Sequence, residues 1–150
     1  MGRDRFALLV VHLKATPEGA AKRRDQWERA ITIAEQHRAR TGTPVGIIGD
    51  VNSTGFLNDG QGEATFLRER LRRAGMRLLT DGLACSEYFR GDAGLVPNLL
   101  DHVAVQDRFP ISAVAEVQGY CRASQCRPLA SAPDDFLMVS DHCPVVVGAP

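Results

Sequence analysis

Two continuous apolar runs, separated by a long helical segment, place the strongest constraint on how this chain folds. Residues 6–13 read FALLVVHL and residues 45–49 read VGIIG, which is the length and composition of buried β-strands. The segment between them predicts a helix from Thr16 to about Arg40, with an apolar face formed by Trp27, Ala30, Ile31 and Ala34. A strand, a helix and a second strand in this order are typical of layered α/β and α+β folds.

The ends of this helix carry recognisable sequence markers. Thr16 offers a capping hydroxyl, Pro17 suits the first turn, and Glu18 places an acid near the positive end of the helix. Residues 41–44, TGTP, end it. We expect its basic side chains to form a mostly solvated face, comprising Lys22, Arg23, Arg24, Arg29, Arg38 and Arg40.

The rest of the chain reads as one more helix followed mainly by strands. The second helix fits residues 63–74, with Phe66, Leu67 and Leu71 directed inward. We expect short strands at 76–79, 99–105, 111–117 and the C-terminal valines, an irregular segment at 81–98 and a long loop at 119–137. Because helices lie early and strands late, a mixed sheet is favoured over a uniformly parallel one.

Size and charge exclude several classes of protein. One hundred and fifty residues suit a single domain with a real core. The 18 basic and 18 acidic residues balance, unlike those of a strongly cationic nucleic-acid binder, although a local basic face remains open. No apolar run approaches the roughly 20 residues that span a bilayer.

The four cysteines leave the redox state open. Their spacings do not form a paired CxxC zinc site. Cys121 and Cys126 bracket a short loop and could close a small disulfide, while three pairings with Cys85 and Cys143 are possible. Four free thiols in a cytoplasmic protein are the alternative. We slightly favour disulfides and an exported, periplasmic or extracellular protein, and we read the apolar N-terminal stretch as a strand and not as a signal peptide.

Polar, titratable residues interrupt or end the apolar strands at four places. These are His12 in VVHLKA, Asp50 and Asn52 in IIGDVNS, Asp101 in the middle of LLDHV, and Asp141 with His142 in VSDHCPV. A carboxylate in an apolar strand is costly unless it has a partner or a cation. Four such places on separate strands predict that these residues converge at one edge of the sheets.

The chemistry of this set is coherent. Carboxylate and amide oxygens are the donors that Mg²⁺ prefers. His142 backed by Asp101 would be an oriented imidazole, and His12 would be a second one. A hard cation, an oriented water and two imidazoles together favour hydrolysis of a phosphate ester.

The ordered motifs HLKA, GDVNS, LDHV and SDHCPV resemble those of the endonuclease/exonuclease/phosphatase superfamily, over residues 6–147. That superfamily includes DNase I-like nucleases, abasic-site endonucleases, sphingomyelinases and inositol phosphatases. Four motifs in this order are far more specific than GDxN alone. The resemblance implies an α+β layered fold that corresponds to the C-terminal half of a four-layer α/β/β/α sandwich, with a mixed, mainly antiparallel sheet.

The resemblance also implies a role for each matched residue. Asp50 would orient or deprotonate the attacking water, and Asn52 would hold the phosphate or the water. Asp101 would fix the ring of His142, which would contact the phosphoryl group or take a proton from water. His12 would stabilise phosphate charge or protonate the leaving group.

The implied cofactor is a divalent cation, Mg²⁺ or Mn²⁺. Asp141 would bind it, and Asp50 and Asn52 have the right chemical type to assist. In the family the first half of the sandwich supplies a further metal-binding Glu. We therefore expect residues 1–150 to be a single, incomplete domain with an exposed apolar surface, little turnover alone, and a missing N-terminal half or a second subunit as partner.

The resulting expectation is a metal-dependent phosphodiesterase or nuclease, impaired in this chain. The alternative is a non-catalytic binding or assembly module derived from the same fold. The substrate is open, because DNA or RNA needs a basic face such as residues 68–75, RERLRRAG, whereas neutral total charge mildly favours smaller or lipid phosphates. We expect His102 to be a packing residue and Ser140 a turn residue.

Overall fold

The structure is a computed structural model that describes residues 5–55, 60–111 and 114–148. Within these ranges the strands are β1 (Ala7–Val10), β2 (Val45–Asp50), β3 (Met76–Leu78), β4 (Glu87–Gly91), β5 (Gly94–Asn98), β6 (Asp101–Gln106), β7 (Ala115–Val117) and β8 (Val145–Val147). The helices are α1 (Ala20–Thr41), α2 (Gly60–Arg73), α3 (Gly119–Ser124) and α4 (Asp134–Met138). The general class is α+β.

The central sheet has the strand order β1-β2-β6-β3. β1 runs parallel to β2, whereas β6 is antiparallel to both β2 and β3. The expected mixed, mainly antiparallel sheet is therefore confirmed. Two smaller sheets accompany it, the hairpin β4-β5 and the pair β7-β8.

Helix α1 and helix α2 supply the core on one side of the central sheet. The predicted apolar face of α1 is confirmed, because Trp27, Ala30, Ile31 and Ala34 are all buried. Leu67 and Leu71 of α2 are also buried, and Phe66 packs against the same cluster. At the end of α1, Gly42 adopts a left-handed conformation and its N–H donates to the carbonyl of Arg38, which stops the helix as the sequence predicts.

The opposite side of the sheet is apolar and open. The continuous apolar sequence of β1 predicts a strand that is buried on both faces. This prediction is wrong, because only one face of β1 packs against the core. Ala7 and Leu9 pack toward the helices, whereas Leu8 is 50% exposed and Val10 is 71% exposed. With Phe6, Phe109 and residues of β6 and β8, they line a cavity of about 410 Å³.

Two segments that were expected to lack regular structure contain it. Residues 81–98 include the hairpin β4-β5, and residues 119–137 include α3 and most of α4. The Gly- and Pro-rich sequence of the hairpin conceals it, because Gly91 and Gly94 form its tight end and Pro97 pairs with Tyr88 within the ladder. Asp101 is the first residue of its strand and not the middle one, which brings it to the sheet edge.

The start of α1 also differs from the sequence prediction. A 3₁₀ turn at Pro17–Gly19 precedes the helix, and the hydroxyl of Thr16 makes no capping hydrogen bond to the described backbone. Thr16 has a φ of 74°, and its hydroxyl instead bonds the carboxylate of Glu18, which helps to lower the pKa of Glu18 after the larger effect of the backbone.

The cysteines form two disulfides, Cys85–Cys126 and Cys121–Cys143. The expectation of disulfides is met, but a Cys121–Cys126 loop is wrong. These two cysteines lie on either side of the last turn of α3, where the N–H of Cys126 donates to the carbonyl of Cys121, and each side chain reaches a different neighbouring segment. No helix in the described ranges is both long and apolar enough to cross a membrane.

Candidate active site

The pairing of β2 with β6 brings two carboxylates to one sheet edge. Asp50 ends β2 directly opposite Asp101, which begins β6. His142, on the segment before β8, lies between them. Its Nδ1 is 2.7 Å from Asp101 Oδ2, and its Nε2 is 3.8 Å from Asp50 Oδ2. Residues 50, 101 and 142 therefore gather as the sequence predicts.

Asp101 is held in place by a serine that the sequence analysis missed. Ser86 Oγ donates to Asp101 Oδ2 at 2.8 Å and accepts from the N–H groups of Leu100 and Asp101. The hydrogen bond between His142 and Asp101 is the main reason why the pKa of His142 rises to about 9. Burial acts in the opposite direction. At neutral pH the His142 ring is therefore positively charged.

Asp50 is partly buried. Burial is the largest influence on its carboxyl and raises its pKa, while the N–H of Asn52 donates to Asp50 Oδ1 at 3.0 Å and opposes that rise. His12 Nε2 lies 3.3 Å from Asp50 Oδ2, on a side chain that is 74% exposed. Asn52 itself has a φ of 51°, and its amide donates to the carbonyl of Leu13, which ties the β2 edge to the chain after β1.

A pocket of about 310 Å³ opens beside this cluster. Asn52, Asp141 and His142 line it, so Asp141 joins the other sequence-predicted residues at one location. Asp141 is exposed, and its backbone carbonyl accepts from the N–H of Tyr88. Asp50 and Asp101 do not line the pocket but contact His142, and His12 contacts Asp50, so the six predicted site residues form one connected group.

The pocket also contains Glu87, which sequence reasoning missed. Glu87 is only 5% exposed, and burial raises the pKa of its carboxyl to about 7, although nearby His142 opposes this shift. Asp141 and Asp101 raise its pKa further through like-charge repulsion. The one sequence indication was an acid next to two aromatic residues in CSEYF, within a segment that was expected to be irregular.

His102 and Ser140, which the sequence analysis expected to have no catalytic role, make structural contacts. His102 is buried, with Nδ1 2.7 Å from the hydroxyl of Thr80 and Nε2 2.9 Å from that of Thr54. Burial lowers the pKa of His102 to about 4. Ser140 Oγ accepts the N–H of His142, which is the turn role expected for it.

Arg23 is not on a solvated face, so that part of the expectation is wrong. It is completely buried, and its guanidinium binds Glu63 of α2 at 2.9 Å. The same group donates to the carbonyls of Lys14 and Thr16, which fixes the segment that follows His12. The periodicity of α1 could not reveal this, because the partners lie on other elements.

The candidate basic face at residues 68–75 is largely neutralised. Three of its arginines form ion pairs with acids, namely Arg68 with Asp81, Arg70 with Glu28 and Arg73 with Glu69. A stretch balanced in this way offers less attraction to a polyanion than its sequence indicates.

The residues of the site fit a hard cation chemically. In the part of the chain that is described, no three or more His, Cys, Asp or Glu side chains form a metal cage. Mg²⁺ commonly uses only one or two carboxylates, together with water and substrate phosphate oxygens. The carboxylates of Asp141 and Asp50 and the amide of Asn52 are donors of the required type.

A comparison of the chain with models of known protein families finds no match, and a comparison with curated protein sequences finds no relative. These comparisons therefore assign neither a family nor an activity. The case for a function consists of the ordered sequence motifs and the geometry around His142.

Proposed function

We propose that this protein is a divalent-metal-dependent phosphoesterase of the endonuclease/exonuclease/phosphatase type, acting on phosphodiesters. The observation that carries the proposal is the arrangement of His142 between two acids, with Nδ1 bonded to Asp101 and Nε2 directed toward Asp50. An imidazole oriented in this way, beside a second carboxylate and an open pocket, suits phosphate chemistry.

The pKa values of His142 and Asp50 indicate a different role for each residue. His142 is an imidazolium at neutral pH, because its pKa is about 9, so it binds a phosphoryl oxygen through charge and Nε2–H. Asp50 has a raised pKa and therefore acts as the base that takes a proton from water. This favours Asp50 over His142 as the proton acceptor.

In the proposed reaction, the oxygen of water forms a bond to phosphorus and the bond from phosphorus to the ester oxygen breaks. Asp50 accepts the water proton, and exposed His12, 3.3 Å from Asp50, delivers a proton to the departing alcohol oxygen. Asp141 would hold a divalent cation, which would supply Lewis-acid stabilisation of the phosphoryl charge. Asn52 orients the phosphate or the water.

Hydrolysis of bis(4-nitrophenyl) phosphate with Mg²⁺ or Mn²⁺ tests this proposal. Because turnover by this chain is expected to be low, the assay uses high protein concentration and long incubation. His142→Ala and Asp50→Asn should each reduce the metal-dependent rate roughly 100-fold or more. His37→Ala, which changes a histidine near the C-terminal end of helix α1, is the matched control and should keep the rate.

Two results would reject the proposal. The first is a wild-type rate that does not depend on metal or does not exceed that of a chelated sample. The second is a His142→Ala variant that folds and retains the wild-type rate.

The proposed wider fold is the C-terminal half of a four-layer sandwich. The open apolar face of the central sheet, formed by Phe6, Leu8 and Val10 and their neighbours, supports it, because such a surface favours burial under a second sheet. That layer would come from an N-terminal half or from a second subunit. The same face also favours the second candidate function, an assembly module without turnover.

The substrate class is the least defined part of the proposal. The paired arginines of α2 weaken the case for DNA or RNA, and the slope of affinity against salt distinguishes a polyanion from a small ester. The two disulfides favour an oxidising compartment, so we also propose a periplasmic or extracellular location.

A further inference from the structure

Glu87 lies in the middle of a row of polar residues that crosses three chain segments. It is paired with Asn98 across the hairpin β4-β5, and it forms an isolated antiparallel bridge with His142 on its other side. Directly paired residues of antiparallel strands place their side chains on the same face. Asn98, Glu87 and His142 therefore face the same pocket, and all three line it.

Among the residues that the structure describes, one oxygen of this carboxyl has no hydrogen-bond partner. Glu87 Oε2 is buried and accepts no hydrogen bond from any described group, although the side chain of Asn98 bonds the carboxyl. A buried carboxylate oxygen in this condition is costly unless a cation compensates it. Its retention at the pocket wall therefore needs an explanation.

The charges around the pocket indicate what would compensate it. Asp50, Asp101 and Asp141 are close enough to influence Glu87 or His142, and His142 is the opposing cation. The acids outnumber the imidazolium, which is unfavourable for binding an anionic phosphate ester. A divalent cation among these oxygens would remove that imbalance.

We propose that Glu87 is a ligand of the divalent cation, binding it through Oε2 together with the carboxylate of Asp141 at the same pocket. This deepens the proposed function and rests on it. Two carboxylates, with water and a substrate phosphate completing the shell, suit Mg²⁺ or Mn²⁺. Glu87 would then supply, from within this chain, a carboxylate of the kind that the resemblance assigns to another part of the sandwich.

Binding of Mn²⁺ alone tests the proposal without any requirement for turnover. Free Mn²⁺ is measured by electron paramagnetic resonance during titration of wild type, Glu87→Gln, Asp141→Asn and the control Glu35→Gln, whose exposed side chain lies on α1. Glu87→Gln keeps the shape of the side chain and one acceptor oxygen for the hydrogen bond from Asn98, but it removes the charge. Loss of one ligand charge should weaken Mn²⁺ binding roughly tenfold or more, as should Asp141→Asn, whereas Glu35→Gln should bind as wild type does.

Thermal unfolding separates ligation from a purely structural role. Without metal, Glu87→Gln should melt at or above the wild-type temperature, because a buried charge has been removed. Added Mn²⁺ should raise the melting temperature of wild type but much less that of Glu87→Gln. A destabilised Glu87→Gln that still gains the wild-type increment would overturn the proposal and assign Glu87 a structural role.

The outcome is distinguishable from that of the proposed function. Wild-type Mn²⁺ affinity in Glu87→Gln, or no Mn²⁺ binding by wild type, overturns this inference whatever the rate of hydrolysis. Absence of hydrolysis with Glu87-dependent Mn²⁺ binding overturns the proposed function and leaves the metal site in place.

Discussion

At the scale of single residues, Asp101 and His102 illustrate how one strand serves both the site and the core. Asp101 bonds His142 at the sheet edge, whereas the next residue is buried between the hydroxyls of Thr80 and Thr54. The pKa values of His142 and His102 consequently shift in opposite directions. The pKa of His142 rises to about 9, and that of His102 falls to about 4.

The low pKa of His102 predicts a loss of stability in acid. Because its folded-state value of about 4 lies below the ordinary value of 6.5, the unfolded chain binds the proton more readily. This contribution is complete above the ordinary value and is lost as pH falls toward 4. It amounts to about 3 kcal/mol, a figure that already includes the opposing effects of Asp101, of the hydrogen bond with the backbone of Ser53 and of Asp81.

Urea unfolding of wild type and His102→Gln at about pH 7.5 and about pH 4 measures this contribution. The variant is expected to be less stable at the higher pH and to lose clearly less free energy on acidification. The comparison with wild type removes the common effect of the other titrating groups. Equal losses in the two proteins would contradict the assigned state of His102.

At the scale of elements, the sequence predicts those helices and strands that bury one face, because their apolar residues then recur with a regular period. The helix positions around Trp27 and Leu67 are examples, since each helix buries one side against the same sheet. The hairpin β4-β5 could not be predicted in this way. Its glycines and Pro97 resemble a loop, and its strands are defined by pairing with each other.

The site follows the same division. His12, Asp50, Asp101 and His142 could be predicted because each is a polar residue at an otherwise apolar strand. Glu87 could not, because its position opposite His142 is a consequence of the bridge between distant segments. Chemical type is visible in the sequence, whereas pairing between remote segments is not.

Arg23 links α1, α2 and the segment after β1, and its replacement should lower the free energy of unfolding. Its guanidinium joins α1 to Glu63 of α2 and to two carbonyls after β1. Arg23→Met leaves Glu63 buried without its cation, so we expect a loss of about 3–5 kcal/mol in the free energy of unfolding. Chemical denaturation measures it, with exposed Arg29→Met as the control, expected within about 0.5 kcal/mol of wild type.

A double variant makes this prediction sharper. Arg23→Met combined with Glu63→Met removes both charges, and it should be more stable than Arg23→Met alone, because no unpaired charge remains buried. If the double variant is no more stable than Arg23→Met, the loss of stability comes from the missing contacts with the two backbone carbonyls. It does not then come from the carboxylate of Glu63.

At the scale of the whole molecule, the two sides of the central sheet differ in how they are covered. The helices bury one side, while Leu8 and Val10 project from the other beside the apolar cavity. Such an open apolar surface favours association, either with a further sheet of the proposed sandwich or with another copy of the chain. Polar substitutions on this face should therefore alter solution behaviour and leave folding intact.

The variant Leu8→Gln/Val10→Thr tests this difference between the two sides. It should bind less of an apolar fluorescent dye and self-associate less in sedimentation experiments, because it removes exposed apolar surface. Its free energy of unfolding should change by no more than about 0.5 kcal/mol per substitution, since these side chains are half or more exposed. Ile33→Gln, at an exposed position on α1, is the matched control and should not reduce association. Strong destabilisation by the double variant would instead mean that this face is part of the folded core of the isolated chain.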